Sequence, residues 1–256
     1  MLRRHRITFP KEGTEAFEQD EAFFYIQKDD GRRKLRLHDY ADIYDHQGLY
    51  EQLFYDRLKC TSPKKVVSIL HSALTSSSEH ITELRVLDFG AGNGIVGEEL
   101  KNFGVSRLVG VDIIPEARDA VLRDRPGMYD AYLIRDFTKL SDEKRDEIAS
   151  WNCDCMISVA ALGFGDIPVD AFIEAFNIIS EQGWVAFNIK ETFLDRKDDT
   201  GFSRLIRELI FSDYLDIYHM ERYRHRLSIE GEPLFYYALA GRKNSDVPKG
   251  FLTEIL

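Results

Sequence analysis

The stretch from Leu84 to Gly97 constrains the fold more than any other part of the chain, and it reads Leu-Arg-Val-Leu-Asp-Phe-Gly-Ala-Gly-Asn-Gly-Ile-Val-Gly. A short apolar run ends at Asp88 and predicts a buried strand, three glycines follow at alternate positions, and apolar residues at helical spacing then begin a helix. A strand, a glycine turn and a helix allow a ligand to touch bare backbone, because glycine has no Cβ and the first N–H groups of a helix are unpaired. The stretch therefore predicts a ligand-binding turn.

Two classes of ligand use a turn of this kind. Residues 92–97 fit the pattern G-x-G-x-x-G of dinucleotide-binding proteins. However, the glycines begin earlier, at Gly90, and Asp88 stands directly before the turn. A carboxylate at that place would repel a pyrophosphate and attract an ammonium, such as the amino group of an amino-acid cofactor. The turn therefore favours a cofactor with an amino-acid part over a dinucleotide.

The segment from Asp88 to Gly94, Asp-Phe-Gly-Ala-Gly-Asn-Gly, resembles motif I of the class I S-adenosylmethionine (SAM)-dependent methyltransferases. The resemblance implies a Rossmann-like fold, SAM as the cofactor and methyl transfer as the activity. It also implies that residues of this loop bind the cofactor, namely Asp88, Gly90, Ala91, Gly92 and Gly94.

Residues at the ends of three later strands fit the same cofactor. Asp112 follows the first glycine of the turn by 22 positions, where an acid can bridge the two hydroxyls of a ribose, and Ile113 can lie against an adenine. Asp136 can accept a hydrogen bond from the exocyclic amine of adenine, while the backbone N–H of Phe137 can reach a ring nitrogen. Ala160 ends the fourth predicted strand, at the sheet edge where ligands bind in such folds.

Strands and helices alternate from residue 84 onward, which predicts a parallel sheet with helices on both faces. After five such strands, residues 214–227 and 234–240 predict two long strands joined by a turn. A closing antiparallel hairpin is typical of class I methyltransferases and not of dinucleotide dehydrogenases. The remaining predicted strands are residues 107–111, 129–134, 155–160 and 183–189, and an amphipathic helix is predicted over 202–211.

The predicted fold class is therefore α/β. It is a doubly wound, mostly parallel seven-stranded sheet with a C-terminal antiparallel hairpin and an N-terminal hairpin and helical extension. Residues 1–60 form the extension and a possible lid, residues 61–241 the SAM-binding methyltransferase domain, and residues 242–256 a C-terminal tail. Residues 1–20 are polar and are expected to form a loose or accessory segment.

The N-terminal extension contains a predicted hairpin and a tyrosine pair. Residues 22–27 and 32–38 predict two strands joined by an Asp-Gly turn. Tyr40 and Tyr44 are four positions apart, so on a helix they share a face. One hypothesis is that residues 38–58 form a lid and that Tyr44 closes over the cofactor; the alternative is that both tyrosines only pack a short helix.

Composition narrows the functional class. The formal net charge of −10 argues against a nucleic acid as the main partner, and no apolar run has the roughly 20 residues of a membrane span. The basic start of the chain is not followed by an apolar stretch, so no signal peptide is expected. Three cysteines are typical of a reducing cytoplasm, and Cys153 and Cys155 are expected to pack in a strand rather than bind a metal.

The sequence identifies the acceptor less well than the cofactor. The loop at residues 161–168 contains Gly163 and Gly165 and is expected either to lie near the substrate or to form a simple turn. It lacks the Asn-Pro-Pro-Tyr type of motif that marks amino-group methylation of nucleobases. A small-molecule acceptor is therefore favoured over a protein or an RNA. His38, Tyr40 and Tyr44 are titratable residues near the expected mouth of the site, but no pairing in the sequence identifies a catalytic base.

Within the superfamily, Ser158-Val-Ala-Ala-Leu162 and the C-terminal pattern are similar to the methyltransferase-like proteins named for the Williams–Beuren syndrome region. Two alternatives to a SAM-dependent methyltransferase stay open. One is a dinucleotide-dependent oxidoreductase, which Asp88 and the C-terminal hairpin disfavour. The other is a SAM-binding protein that acts as a partner or regulator. The sequence makes no prediction of the oligomeric state.

Overall fold

The computed structural model describes residues 4–10, 21–28, 31–162, 166–194, 201–248 and 250–251. Four features predicted from the sequence therefore lie wholly or partly outside the described residues: the Asp-Gly turn, the loop glycines Gly163 and Gly165, much of the segment 1–20 and the end of the C-terminal tail.

A small antiparallel sheet forms the N-terminal part of the described chain. Its strands are β1 (Ile7–Thr8), β2 (Phe23–Lys28) and β3 (Gly31–Arg36). The strand β1 is a correction to the expected loose segment, because Ile7 pairs with Ile26 and is buried. A run of two residues carries no alternating pattern, so no local signal predicts this strand.

Helical segments connect this sheet to the rest of the fold. Helix α1 (Tyr40–Tyr44) is followed by a π-helix (Glu51–Arg57) at the place of a predicted helix, and α2 (Ser62–Ser76) follows. The later helices are α3 (Ile95–Asn102), α4 (Pro115–Asp124), α5 (Asp142–Ala149), α6 (Val169–Ile178) and α7 (Phe202–Phe211).

The main sheet has seven strands in the described chain. They are β4 (Arg85–Phe89), β5 (Arg107–Asp112), β6 (Ala131–Ile134), β7 (Cys155–Ser158), β8 (Trp184–Lys190), β9 (Leu215–Leu227) and β10 (Pro233–Lys243). Their order is β6-β5-β4-β7-β8-β10-β9, the first five are parallel, and β10 runs antiparallel to both β8 and β9. The predicted fold class is confirmed.

Alternating side chains of the strands cover both faces of the sheet. Val86 packs in the core on the side of α2 and α3, whereas its neighbour Leu87 packs in the core on the side of α5, α6 and α7. Cys153 and Cys155 are also buried. The strand order reverses between β4 and β7, and open α/β sheets bind ligands in the crevice at that point, outside the carboxyl ends of the strands.

The described helices also bear on membrane association. Among them, none combines the length and the apolar character that crossing a bilayer requires.

Candidate functional site

The glycine turn after β4 has a backbone that only glycine accommodates without strain. Gly90 and Gly92 have φ of 77° and 54°, and the N–H groups of Gly90 and Ala91 donate to the carbonyl of Val111 at 2.9 and 3.0 Å. A Cβ on Gly90 would stand 2.9 Å from the Ala161 Cβ. The turn is therefore fixed against the end of β5 and closely covered, which explains the glycines.

Tyr44 lies directly over this turn. A Cβ on Gly92 would stand 2.6 Å from the Tyr44 hydroxyl oxygen, and Tyr44 itself is 6% exposed. The pair Tyr40 and Tyr44 stacks at 6.1 Å between ring centroids, and Tyr50 lies 5.3 Å from Tyr44. The N-terminal segment thus forms an aromatic cover on the loop.

Ion pairs and hydrogen bonds hold this cover in place. The Glu51 carboxylate accepts from the Asn93 side-chain amide and from the Arg125 guanidinium, each at 2.9 Å. The Arg123 guanidinium donates to the Tyr44 carbonyl at 3.0 Å. The Glu51 contacts are half-buried, so they hold the N-terminal segment to the glycine turn more firmly than exposed ion pairs would.

Asp88 lies beneath the turn rather than on its open side. Its side chain is fully buried, one oxygen accepts from the Tyr129 hydroxyl at 2.7 Å, and the other has no hydrogen-bond partner among the described residues. Burial raises the pKa of the Asp88 carboxyl from its ordinary value to about 7, the hydrogen bond from Tyr129 lowers it, and the charge of Asp112 raises it further. The carboxyl therefore carries a proton over much of the acid range.

The raised pKa of Asp88 predicts a specific pH dependence of stability. Because the folded state keeps a proton that the unfolded state loses between about pH 4 and pH 7, unfolding becomes easier as the pH rises through that range. Asp88→Asn removes the titration and keeps an acceptor for Tyr129. The variant should gain unfolding free energy relative to the native chain between pH 4 and pH 8, on the order of 4 kcal/mol. Urea unfolding of both chains across this range is the measurement, and parallel pH profiles would contradict the account.

Asp112 ends β5 and faces the turn. One carboxylate oxygen accepts from the Gly92 N–H at 2.8 Å and the other from the Ile114 N–H at 2.9 Å. Burial raises the pKa of Asp112, while these backbone hydrogen bonds lower it. The carboxylate is thereby held in one orientation.

Two cavities meet at this place. The larger, about 290 Å³, lies between the turn and the aromatic cover, and the second, about 260 Å³, continues over the end of β6. Gly90, Asp112, Ile113, Asp166 and Ile167 line both of them.

The structure brings most of the predicted site residues to these cavities. The larger cavity is lined by Tyr44, Gly90, Ala91, Gly92, Asp112, Ile113 and Ala160. Asp136 and Phe137 line the second cavity. Asp88 and Gly94 line neither; Gly94 precedes helix α3 and its Cα faces Val121 and Tyr129.

Asp136 and Phe137 are held by local contacts. One oxygen of Asp136 accepts from the backbone N–H and the hydroxyl of Thr138, at 2.9 and 2.6 Å, and these hydrogen bonds lower the pKa of the carboxyl. The Phe137 ring is buried and packs on Phe89 with the ring centroids 4.8 Å apart. Asp136 and Phe137 therefore form part of the wall of the second cavity.

A histidine and a carboxylate meet in the larger cavity, and sequence reasoning found only one of them. His38 Nδ1 lies 3.2 Å from an Asp166 oxygen, and both residues line the cavity. Asp166 stands in the loop after β7, where the sequence offered only its position near the carboxyl edge. The two residues are 128 positions apart, so no spacing rule links them.

A buried network of hydrogen bonds holds the end of β7 in place, and it was not predicted from the sequence. The Ala160 N–H donates to the Asn188 side-chain oxygen at 2.6 Å, and the Asn188 amide donates to the Tyr223 hydroxyl at 2.8 Å. Ser62 lies 2.6 Å from that hydroxyl and 2.5 Å from His225 Nδ1. The signal was an asparagine in an otherwise apolar strand, since a buried amide requires partners. The network holds Ala160, with φ of 55°, at the cavity wall.

Comparisons with known proteins agree with this architecture. The family model described as a methyltransferase domain matches residues 87–187, the part that carries the glycine turn, Asp112, Asp136 and Ala160. A search of curated proteins found no match.

Solved structures of the same fold span most of the chain. A candidate RNA methyltransferase from Pyrococcus horikoshii has a TM-score of 0.52 at 18% identity and covers 70% of this chain and 83% of its own. Protein 1320 of Thermoplasma acidophilum has a TM-score of 0.51 at 18% identity, over 79% of this chain and 98% of its own. The magnesium protoporphyrin IX methyltransferase of Synechocystis, solved with bound SAM, has a TM-score of 0.49 at 12% identity, over 71% and 79%.

Residues 87–187 therefore form a methyltransferase domain on a Rossmann-like methyltransferase fold. This match indicates an enzyme of the transferase class.

Proposed function

We propose that the protein transfers the methyl group of SAM to a small-molecule acceptor bound beneath the aromatic cover. The observation that carries the proposal is the pair of joined cavities at the carboxyl ends of β4 and β7, roofed by the N-terminal segment. A partly covered cavity of about 290 Å³ suits a small molecule better than a folded RNA or a protein surface. The net charge of −10 also favours an acceptor other than a nucleic acid.

The cavity walls fit SAM in two respects. Gly90, Ala91 and Gly92 line the larger cavity, and the two glycines have no side chain, so an amino-acid moiety can approach the backbone of the turn there. The carboxylate of Asp112 lies where the two cavities join, which suits the ribose between methionine and adenine.

The remaining predicted site residues have different proposed roles. Ile113, Asp136 and Phe137 hold the adenine in the second cavity, and Ala160 and Tyr44 border the methionine part. Asp88 and Gly94 support the turn from beneath and beside it, because neither lines a cavity.

The reacting end of the cavity contains the His38–Asp166 pair. When bound, SAM supplies an electrophilic methyl on a sulfonium: the acceptor lone pair bonds to the methyl carbon as the carbon–sulfur bond breaks, leaving the neutral thioether of S-adenosylhomocysteine (SAH). An acceptor O–H or N–H must then give up its proton. His38 takes this proton, and Asp166 orients the imidazole and balances its new charge.

Two measurements on the purified chain test the proposal. Calorimetry should show SAH and SAM binding at one per chain and no binding of nicotinamide dinucleotides; the reverse order would favour the oxidoreductase alternative. Labelled SAM mixed with fractionated metabolite pools should then yield a labelled small molecule. If SAM binds but only protein or RNA is labelled, a macromolecular acceptor is favoured. If SAM binds and no pool gives a labelled product, a regulatory SAM-binding protein is favoured.

We further propose that residues 38–58 act as a lid. Tyr44 over Gly92 and the Glu51 contacts with Asn93 and Arg125 support this, because they join the segment to the cofactor loop. Amide hydrogen exchange of residues 38–58 should slow when SAH is added, while exchange of the buried strand β8 should not change. High protection of the segment that is insensitive to SAH would show a packing element rather than a lid.

Two finer assignments rest on the sequence. The relation to the methyltransferase-like proteins of the Williams–Beuren region is supported by the stretch from Ser158 to Leu162, which leads into the cavity wall at Ala160. A cytoplasmic location is supported by three cysteines that are unpaired in the fold. Detection of the chain in a soluble, reducing fraction of its cells is the check on the second assignment.

A further inference from the structure

Arg226 on β9 is a buried cation without a buried anion beside it. Its exposed fraction is 3%, and one guanidinium N–H donates to the carbonyl of Leu227 at 2.9 Å. Within the part of the chain that the structure describes, the guanidinium forms no ion pair. A guanidinium has five N–H donors and always carries its charge, so most of its binding capacity is unused by these contacts.

A β-bulge turns Arg226 inward. Along β9 buried and exposed residues alternate up to His225, but His225 and Arg226 are both buried. The register shows why: Arg224 pairs with Phe235 and Arg226 with Leu234, so His225 is an extra residue between them. Bulges of this kind re-aim side chains next to active sites. Without the bulge, alternation would place Arg226 on the outer face with Arg224.

Arg226 lines a small cavity that adjoins the larger one. This cavity has about 30 Å³, room for one small polar group and not for a sugar or a base. It shares His38, Tyr40, Tyr50, Ala160 and Asp166 with the larger cavity. A molecule in the larger cavity can therefore extend one end toward Arg226 while its other end stays near the His38–Asp166 pair.

Burying a guanidinium without a counter-charge is unfavourable, and a bound oxyanion would remove that penalty. Asp166 lines the same small cavity but is already paired with His38 at 3.2 Å, and it lies on the side shared with the larger cavity. Tyr236 and Phe54 supply apolar walls beside Arg226. The small cavity is thus lined by a cationic side chain and by aromatic residues, and it has little volume.

We propose that Arg226 is an oxyanion-binding subsite and that the methyl acceptor is a small carboxylic acid, whose carboxylate pairs with Arg226. The inference rests on the proposed function and names its substrate class. A bidentate pair of this kind fixes both the position and the orientation of the acceptor. The acceptor atom then lies at the opposite end of the molecule, in the larger cavity beside His38.

The test uses the full chain saturated with SAH and benzoate as the probe, with benzamide as its neutral isostere. Ligand-observed NMR titration of the native chain should give at least about tenfold tighter binding for benzoate than for benzamide, equivalent to roughly 1.4 kcal/mol. Arg226→Met should abolish this preference. Arg224→Met is the matched control, because Arg224 lies on the same strand but is exposed, and it should leave the preference unchanged.

The outcomes separate this inference from the proposed function. Unchanged SAH affinity in Arg226→Met together with loss of the benzoate preference supports the subsite, whereas failure of SAH to bind the native chain would refute the proposed function first. Equal binding of benzoate and benzamide to the native chain overturns the inference even if the Arg226 variant does not fold. If inorganic phosphate binds the SAH-saturated chain more tightly than benzoate does, the subsite is assigned to phosphate. The proposal that the acceptor is a carboxylic acid would then be wrong.

Discussion

Replacement of Gly92 by valine is expected to lower the affinity for SAH by at least about 100-fold, equivalent to roughly 2.7 kcal/mol. Two effects add. The left-handed φ of 54° costs an L-residue about 1–2 kcal/mol, more for a β-branched one, and the new Cβ would stand 2.6 Å from the Tyr44 hydroxyl oxygen. Tyr44 must therefore leave the turn, or the turn must move into the cavity. Calorimetric titration with SAH measures the loss.

Gly127→Val is the matched control for this change. Gly127 also has a positive φ, 74°, but a Cβ there would meet no atom within 4 Å, and the residue lines neither cavity. The control variant shares the backbone strain and should bind SAH as the native chain does. Gly92→Ala gives a milder version of the same test. Full SAH affinity in a folded Gly92→Val chain would show that the turn does not hold the cofactor.

His38→Gln is expected to lower kcat by roughly 100-fold or more with the acceptor found by the labelled-SAM screen, the usual scale for loss of a general base. Glutamine keeps a polar group in the cavity but cannot take a proton. SAH affinity should stay within about twofold, because His38 is assigned to the acceptor and not to the cofactor. Steady-state kinetics provide the measurement.

The same segment offers a control histidine. His46 Nδ1 lies 2.9 Å from the Asp42 carbonyl and the residue lines neither cavity, so His46→Gln should keep native turnover. Asp166→Asn should lower kcat less than His38→Gln, since the imidazole would remain but lose its orienting carboxylate. Native turnover in a folded His38→Gln chain would eliminate His38 as the base.

The sheet was predictable because its signals are local. The apolar run before Asp88 and the glycines after it define β4 and the turn, and Gly183–Ile189 reads as an apolar strand without reference to any other part of the chain. The ends of strands were predicted less accurately. The strand β6 was predicted to begin at Tyr129 but begins at Ala131, because the Tyr129 hydroxyl donates a hydrogen bond to Asp88 instead. A side chain that leaves the strand for a partner elsewhere is not visible in a local pattern.

The acceptor side of the site could not be predicted in this way. The His38–Asp166 pair joins the N-terminal extension to the loop after β7, and the Asn188 network joins three separate elements. Arg226 stands in a polar, charged strand whose alternation predicts an exposed side chain, and only the bulge at His225 reverses that prediction. These contacts depend on tertiary geometry rather than on spacing.

Asp88 shows a further limit of motif reasoning. Its place before the glycines predicts a carboxylate that meets the cofactor's ammonium, and that contact stays a prediction. In the fold the Asp88 carboxyl is buried, accepts a hydrogen bond from Tyr129 and has a pKa raised to about 7. The acid position of the motif thus has a structural environment that the sequence does not reveal.

The structure of the chain crystallised with SAH is the most direct test of the central claim, that the joined cavities hold the cofactor. We expect the ribose hydroxyls to lie within hydrogen-bond distance of the Asp112 carboxylate, with the adenine between Ile113 and Phe137 and the sulfur facing the side of the cavity that contains His38. SAH bound elsewhere, or bound here with its ribose away from Asp112, would contradict it.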